Sequence, residues 1–106
     1  MRIIRGAVAA LLAVASTPHL AAAPAAAEVR IAEHRYAPDT VTIQRGATVR
    51  WVNDDDDPHT VTSDKEAFAS PGMDKREAWT FTFAAPGTYT YHCALHPTMT
   101  GTVVVR

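Results

Sequence analysis

The stretch Tyr91–Met99 reads Tyr-His-Cys-Ala-Leu-His-Pro-Thr-Met, and an apolar run that ends at Val105 follows it. Two residues separate Cys93 from His96, and two more separate His96 from Met99, so one tight loop carries a thiol, an imidazole and a thioether. Soft sulfur ligands combined with imidazole nitrogen suit an ion that cycles between Cu(I) and Cu(II). The loop therefore predicts a copper site that needs one further nitrogen ligand.

His59 offers that second nitrogen, in the segment Asp57-Pro58-His59-Thr60-Val61. The chain between His59 and Cys93 is long enough to form two or more strands and return, so the two residues can meet at one end of a β-sandwich. Two imidazoles and a thiolate with a weak axial thioether form the trigonal site that is typical of electron-transfer copper proteins. We therefore predict one copper ion in a type 1 site, with the ligands His59, Cys93, His96 and Met99.

The chain that leads to this loop reads as short strands separated by turns. β-branched and aromatic residues alternate with polar ones, which is the signature of half-buried strands, and no helical period is sustained. The segment His34–Pro38 interrupts the pattern, and Asp64–Met73 is irregular. These patterns predict an all-β fold, a sandwich or barrel, with strands over Val29–Ala32, Thr40–Gln44, Ala47–Asn53, Thr60–Thr62, Ala78–Phe83, Thr88–Cys93 and Gly101–Val105.

The first residues have the features of an export signal. Met1–Arg5 is basic, Gly6–Ala15 is an apolar run too short to span a bilayer comfortably, and Ala25-Ala26-Ala27 is a small-residue cleavage site. Cleavage after Ala23 is a second candidate, and a membrane anchor is the weaker interpretation. We therefore expect a signal peptide over residues 1–27, a single domain over residues 28–106, no membrane insertion after cleavage, and a periplasmic location.

Composition narrows the class of protein. The 106-residue chain has 10 Lys and Arg against 11 Asp and Glu, and removal of the leader makes it slightly more acidic, which argues against nucleic acid as a partner. Cys93 is the single cysteine, whereas stabilising cysteines of exported proteins come in pairs. A free thiol and an intermolecular link remain alternatives, but a metal ligand is favoured.

The pattern Tyr-His-Cys-x-x-His-Pro-x-Met, followed by x-Gly-x-Val-Val-Val, resembles the cupredoxins, and the amicyanins within them. The segments Met73–Trp79 and Ala85–Tyr91 are similar to the amicyanin sequence before its cysteine, as is Trp51-Val52-Asn53 with Pro58-His59. The resemblance covers most of residues 28–106 and implies a small Greek-key β-sandwich or barrel of the cupredoxin type. It implies the same four copper ligands, with Met99 binding weakly.

The resemblance also implies roles around the ligands. Asn53 would tie the His59 loop to the cysteine loop, and His96 would be the exposed edge through which electrons pass. A ring of apolar residues near that edge would dock redox partners, with a c-type cytochrome as acceptor and a dehydrogenase as donor. The carrier itself would be a monomer. Leu95 stands where amicyanins usually have proline, and its additional N–H can bond the Cys93 sulfur. The candidates for the docking ring are Met73, Pro97, Leu95 and Pro71.

Several residues have simpler interpretations. His92 and His34 are expected to be surface residues, and Trp51, Trp79, Phe81 and Phe83 to be core. The run Asp54–Asp57 is either a solvated loop or a charged patch that steers a basic partner. For function, we expect an electron shuttle and not an enzyme; the alternative is a copper-binding or delivery protein, and a catalytic copper domain would need ligands that the sequence lacks.

Overall fold

The computed structural model describes Gly6 and residues 25–106. The strands form two four-stranded sheets packed as a sandwich. Nearly all of the predicted signal peptide lies outside the described residues. None of the described residues belongs to a helix long and apolar enough to cross a membrane. The two-sheet architecture confirms the predicted all-β class. The strands are β1 Ala27–Ala32, β2 Arg35–Ala37, β3 Thr40–Ile43, β4 Thr48–Asn53, β5 Thr62–Ser63, β6 Ala78–Thr82, β7 Gly87–His92 and β8 Thr100–Val105.

Strand pairing places both ends of the ligand loop side by side. One sheet has the order β2-β1-β4-β6 and the other β3-β8-β7-β5, with β1 parallel to β4 and β3 parallel to β8. Strands β7 and β8 are antiparallel, and His92 lies opposite Thr100. The segment Cys93–Met99 is therefore the closed connection between two paired strands, which fixes its two ends.

The core between the sheets is aromatic at its centre. Trp51 is fully buried, and its indole N–H donates to the Tyr91 hydroxyl at 3.2 Å. The β6 side chains alternate as predicted: Trp79 and Phe81 are partly buried against the core, and Phe83 just beyond the strand is 1% exposed. Burial of these rings supplies the apolar area that a small domain needs.

Strand β2 was not predicted, because the break expected at His34–Pro38 contains a three-residue strand paired only with β1. Tyr36 alone of these three residues faces the core, so no period of two can be recognised. A turn at Glu33 and His34 precedes the strand, and both residues have positive φ angles of 52° and 56°. The predicted strand at Thr60–Thr62 is shifted, since β5 begins at Thr62 and His59 forms an isolated bridge to Met73.

Candidate metal centre

Three of the four predicted ligands meet at one end of the sandwich. The Cys93 Sγ lies 3.8 Å from Nδ1 of His59 and 3.8 Å from Nδ1 of His96. With metal–sulfur bonds of about 2.3 Å and metal–nitrogen bonds of about 2.0 Å, two ligand atoms on one ion are about 3.5–3.9 Å apart at angles of roughly 110–125°. The measured separations therefore fit one first-row metal ion shared by these three side chains.

Met99 completes the loop on which Cys93 and His96 lie. The Cys93 N–H donates to the Met99 carbonyl at 3.1 Å, and the Met99 N–H donates to the His96 carbonyl at 2.9 Å. Met99 is 4% exposed and belongs to the same buried cluster as Cys93, whereas His96 is partly exposed. The loop therefore presents one imidazole edge to solvent and keeps both sulfur-bearing side chains inside.

A carboxylate orients the buried imidazole of His59. The His59 side chain is inaccessible to solvent, and its Nε2 lies 2.8 Å from Oδ2 of Asp55. An N–H at Nε2 that donates to this carboxylate leaves the lone pair of Nδ1 free on the side of Cys93. The ring is thus held in the tautomer that a metal ligand requires.

Asp55 also holds the turn between β1 and β2. Its carboxylate accepts the Glu33 N–H at 2.8 Å and the His34 N–H at 2.9 Å. Burial opposes ionisation of Asp55, but the hydrogen bonds from His34, His59 and Glu33 outweigh it and hold the pKa of this carboxyl below its usual value. One ionised side chain therefore joins a remote turn to a predicted copper ligand.

The other three aspartates of the run Asp54–Asp57 are also paired. Asp54 lies 3.2 Å from Arg30, Asp56 lies 2.7 Å from Lys75, and Asp57 lies 2.8 Å from Nε2 of His34. Asp54 and Asp56 thus face cationic side chains, whereas Asp55 and Asp57 each accept a hydrogen bond from an imidazole. The predicted alternatives for this run were a solvated loop and a steering patch, and neither includes these pairs, because four identical residues carry no signal that each faces a different partner.

The role predicted for Asn53 was wrong. Its amide donates to the carbonyls of Asp57 at 2.9 Å and Met73 at 2.8 Å, and its oxygen accepts the Asp55 N–H at 2.9 Å. Within the part of the chain that the structure describes, no Asn53 side-chain hydrogen bond reaches the Cys93–Met99 loop. The Asn53 side chain bonds the backbone on both sides of His59's segment instead, and so holds that segment in place.

Thr60 makes the connection that was assigned to Asn53. Its N–H donates to the Cys93 Sγ at 3.3 Å, and its hydroxyl accepts the Ala94 N–H at 2.8 Å. Among the described residues, the backbone donor to the sulfur is therefore Thr60 and not Leu95. A donor to the sulfur stabilises a thiolate and adjusts the properties of a bound metal.

Tyr36 packs beside the same sulfur. Its hydroxyl donates to the Thr60 carbonyl at 2.5 Å, and its ring lies edge-on to Tyr91 with the ring centres 4.7 Å apart. Burial raises the pKa of Tyr36, and the neighbouring Cys93 and Tyr91 raise it further. The phenol therefore remains neutral and serves as a donor. It was missed because the strand that carries it was missed.

His34 is exposed, as predicted, but it lies against the predicted ligands. Its side chain is 48% exposed, and its ring centre is 5.0 Å from that of His59 and 5.0 Å from that of His96, edge-on to both. One ligand atom from each of these three histidines can be chosen so that all lie within 4.8 Å of one another. No sequence pattern indicates this cluster, because the left-handed turn that creates it has no glycine.

Three of the four residues predicted for the apolar docking ring are exposed, and Met73 is not. Leu95 is 53% exposed and is the one large exposed hydrophobic residue in the described part of the chain, and Pro97 and Pro71 are also exposed. Met73 is 2% exposed, because its backbone pairs with that of His59 and its side chain turns into the core. The proposal of Met73 as a docking residue was therefore wrong.

His92 behaves as the alternation of β7 predicts. Its side chain is 31% exposed, and Nδ1 lies 2.5 Å from Asp64. The side chain of Cys93, the next residue, is completely buried. His92 therefore points away from the metal centre.

Comparison with known proteins agrees with this geometry. A family model described as a cupredoxin-like domain matches residues 5–105. The chain belongs to the cupredoxin family. Among curated relatives of this cupredoxin, amicyanin-alpha of Methylorubrum extorquens is 36% identical, with 92% of this chain and 94% of that protein covered. The amicyanin of Paracoccus denitrificans is 39% identical over 83 residues, which cover 74% of this chain.

This cupredoxin spans 63% of the length of the Paracoccus denitrificans protein. A solved structure of the Cu(I) form of an amicyanin variant has a TM-score of 0.73 and 38% identity, with 79% of this chain and 85% of that chain covered. The predicted family and fold are confirmed by these matches.

Proposed function

We propose that this cupredoxin binds one copper ion through His59, Cys93, His96 and Met99 and carries single electrons between redox proteins. The observation that supports this most directly is the position of the Cys93 sulfur, 3.8 Å from a nitrogen of each of two imidazoles. The bound ion would supply a one-electron Cu(I)/Cu(II) couple. The similar amicyanin variant that was solved in its Cu(I) form supports the choice of metal.

The protein contributes a rigid setting for the ligands. Asp55 fixes the ring of His59, and Thr60 joins the segment of His59 to Cys93 and Ala94. Side chains held in this way move little when the charge of the ion changes. This lowers the reorganisation energy of electron transfer. Because no bond of a substrate is made or broken, the proposed role is that of a carrier and not an enzyme.

His96 is the proposed point of electron entry and exit. It is partly exposed, and Leu95 and Pro97 flank it with exposed apolar surface. A small contact of this kind suits a transient complex that forms and dissociates quickly. We propose a c-type cytochrome as acceptor and a dehydrogenase as donor. The basic and apolar features of residues 1–27 support export to the periplasm, where the carrier would act as a monomer.

The first test is the visible absorption and EPR spectrum of the protein loaded with Cu(II), compared with that of Cys93→Ala. An intense blue thiolate-to-copper band with a narrow copper hyperfine splitting is expected, and both should be lost in the variant. His92→Ala is the matched control, since it changes the neighbouring residue but no proposed ligand, and it should remain blue. A pale spectrum for the unaltered protein would overturn the proposal.

Copper transfer separates the electron carrier from a delivery protein. A carrier should retain its ion during many cycles of oxidation and reduction while a redox partner or small redox dye is in excess. Rapid transfer of copper to a metal-free acceptor protein, with slow electron exchange, would favour copper delivery instead.

A further inference from the structure

The third histidine of the cluster is not used by the proposed copper site. His34 comes from the turn between β1 and β2, far in sequence from His59 and His96, yet its ring stands edge-on to both of theirs at 5.0 Å. The donor atoms of the three residues lie within 4.8 Å of one another. Two nitrogen atoms bound to one tetrahedral ion at about 2.0 Å are about 3.3 Å apart, so a shift of up to about 1.5 Å would bring all three onto one ion.

The turn that carries His34 is fixed in an unusual conformation. Glu33 and His34 both have left-handed backbone angles, which side-chain-bearing residues seldom adopt. The carboxylate of Asp55 accepts both of their N–H groups while it also binds His59. The same side chain therefore orients a predicted copper ligand and positions the backbone of His34 above the site.

The ring nitrogens of His34 lie near two carboxylates. Its Nε2 lies 2.8 Å from Asp57, and an N–H at that position leaves a free lone pair on Nδ1, which lies 4.0 Å from Oδ2 of Asp55, so the ring must turn to present it to an ion. The side chains of His34 and Asp57 are 48% and 57% exposed, so water can replace their hydrogen bond. The ring can therefore turn at little cost in free energy. His34 thus combines a prepared tautomer with the freedom to move toward an ion.

We propose that His34 is a fourth strong ligand that this site recruits for Zn²⁺. The ligand set would be Cys93 with His34, His59 and His96. Zn²⁺ favours four tetrahedral ligands of thiolate and imidazole type, whereas a thioether such as that of Met99 is a poor ligand for it. The inference rests on the proposed metal centre but not on electron transfer. The same pocket would then hold copper through Met99 and zinc through His34.

The test compares the Zn²⁺ affinity of the unaltered protein with that of His34→Asn, by competition with a chromophoric chelator at fixed pH. Asparagine accepts a left-handed backbone, so the turn is preserved when the imidazole is removed. We expect the Zn²⁺ affinity to fall at least about tenfold, as for lost metal-site partners, and the Cu(I) affinity to stay within about twofold. His92→Asn is the matched control, because it removes another exposed histidine paired with an aspartate.

A direct measurement avoids dependence on the variant. The ¹⁵N resonance of the His34 ring in the unaltered protein should shift strongly when Zn²⁺ is added and little when Cu(I) is added. Equal Zn²⁺ affinities for the two asparagine variants, or an unshifted His34 resonance, would overturn this inference. The proposed function would still stand if the copper-loaded protein is blue. Failure of the unaltered protein to bind either metal would overturn the proposed metal centre.

Discussion

Replacement of Asp55 by alanine tests whether one carboxylate holds the proposed ligand His59 and the β1–β2 turn together. The change leaves the Nε2–H of His59 buried without an acceptor, at a cost of about 1–3 kcal/mol. The N–H groups of Glu33 and His34 lie on exposed residues and regain water, so each loses only about 0.5 kcal/mol. The free energy of unfolding of the metal-free protein should therefore fall by about 2–4 kcal/mol.

Urea denaturation of the metal-free protein measures this loss, because the metal would otherwise add its own stabilisation. Asp54→Ala is the control, since it removes the adjacent aspartate, whose side chain is 40% exposed and pairs with Arg30. That substitution should cost less than about 1 kcal/mol. Equal and small losses in both variants would refute the argument that Asp55 joins the turn to the ligand.

Metal affinity gives a second measure of the same substitution. Without Asp55 the ring of His59 can rotate or change tautomer, and the copper affinity should fall by about 10–100-fold. Asp54→Ala should leave the affinity unchanged within about twofold. An Asp55→Ala variant that is less stable but binds copper normally would show that the carboxylate supports the fold and does not orient the ligand.

Two further predictions concern the scaffold. A methyl group at Gly101 would overlap the buried ring and hydroxyl of Tyr91, so Gly101→Ala should lower the free energy of unfolding by about 1–3 kcal/mol, whereas Gly72→Ala, with open space around it, should be near neutral. Equal effects in urea denaturation would contradict this. Hydrogen bonds from Thr90 and His92 lower the pKa of Asp64, so ionised Asp64 contributes less than about 1 kcal/mol to the free energy of unfolding. This contribution is present above pH 4 and is lost as the pH falls further. The stability difference between the unaltered protein and Asp64→Asn should therefore vanish toward pH 2, and a difference that persists there would refute it.

The sequence predicted those features that depend on local spacing. The loop residues Cys93, His96 and Met99 are close along the chain, so their proximity required no knowledge of the fold. His59 was found because its imidazole supplies the nitrogen that the loop lacks and because the chain between it and Cys93 can cross the sandwich and return. The alternation of β4 and β6 likewise identified Trp51 and Phe83 as core.

The supporting contacts could not be predicted, because they depend on which loops meet. Asn53 and Thr60 are both polar residues near His59, and nothing in the chain indicates which of them faces Cys93. The register of β4 and the bridge at His59 decide this, and they direct Asn53 toward Met73 and Thr60 toward the sulfur. The four aspartates Asp54–Asp57 present the same problem in a stronger form, since identical residues acquire different partners from the path of the backbone.

The contacts of Thr60 show why such residues matter to the proposed function. Its N–H, hydroxyl and carbonyl are all used, toward Cys93, Ala94 and Tyr36 respectively. Three separate segments, the His59 loop, the cysteine loop and β2, are thus joined at one residue immediately beside the sulfur. An electron carrier needs ligands that keep their positions when the charge of the metal changes, and hydrogen bonds between segments restrain them more than the loop sequence alone can. The loop supplies three of the four proposed copper ligands, and the contacts of Thr60 and Asp55 restrain Cys93 and His59 beside it.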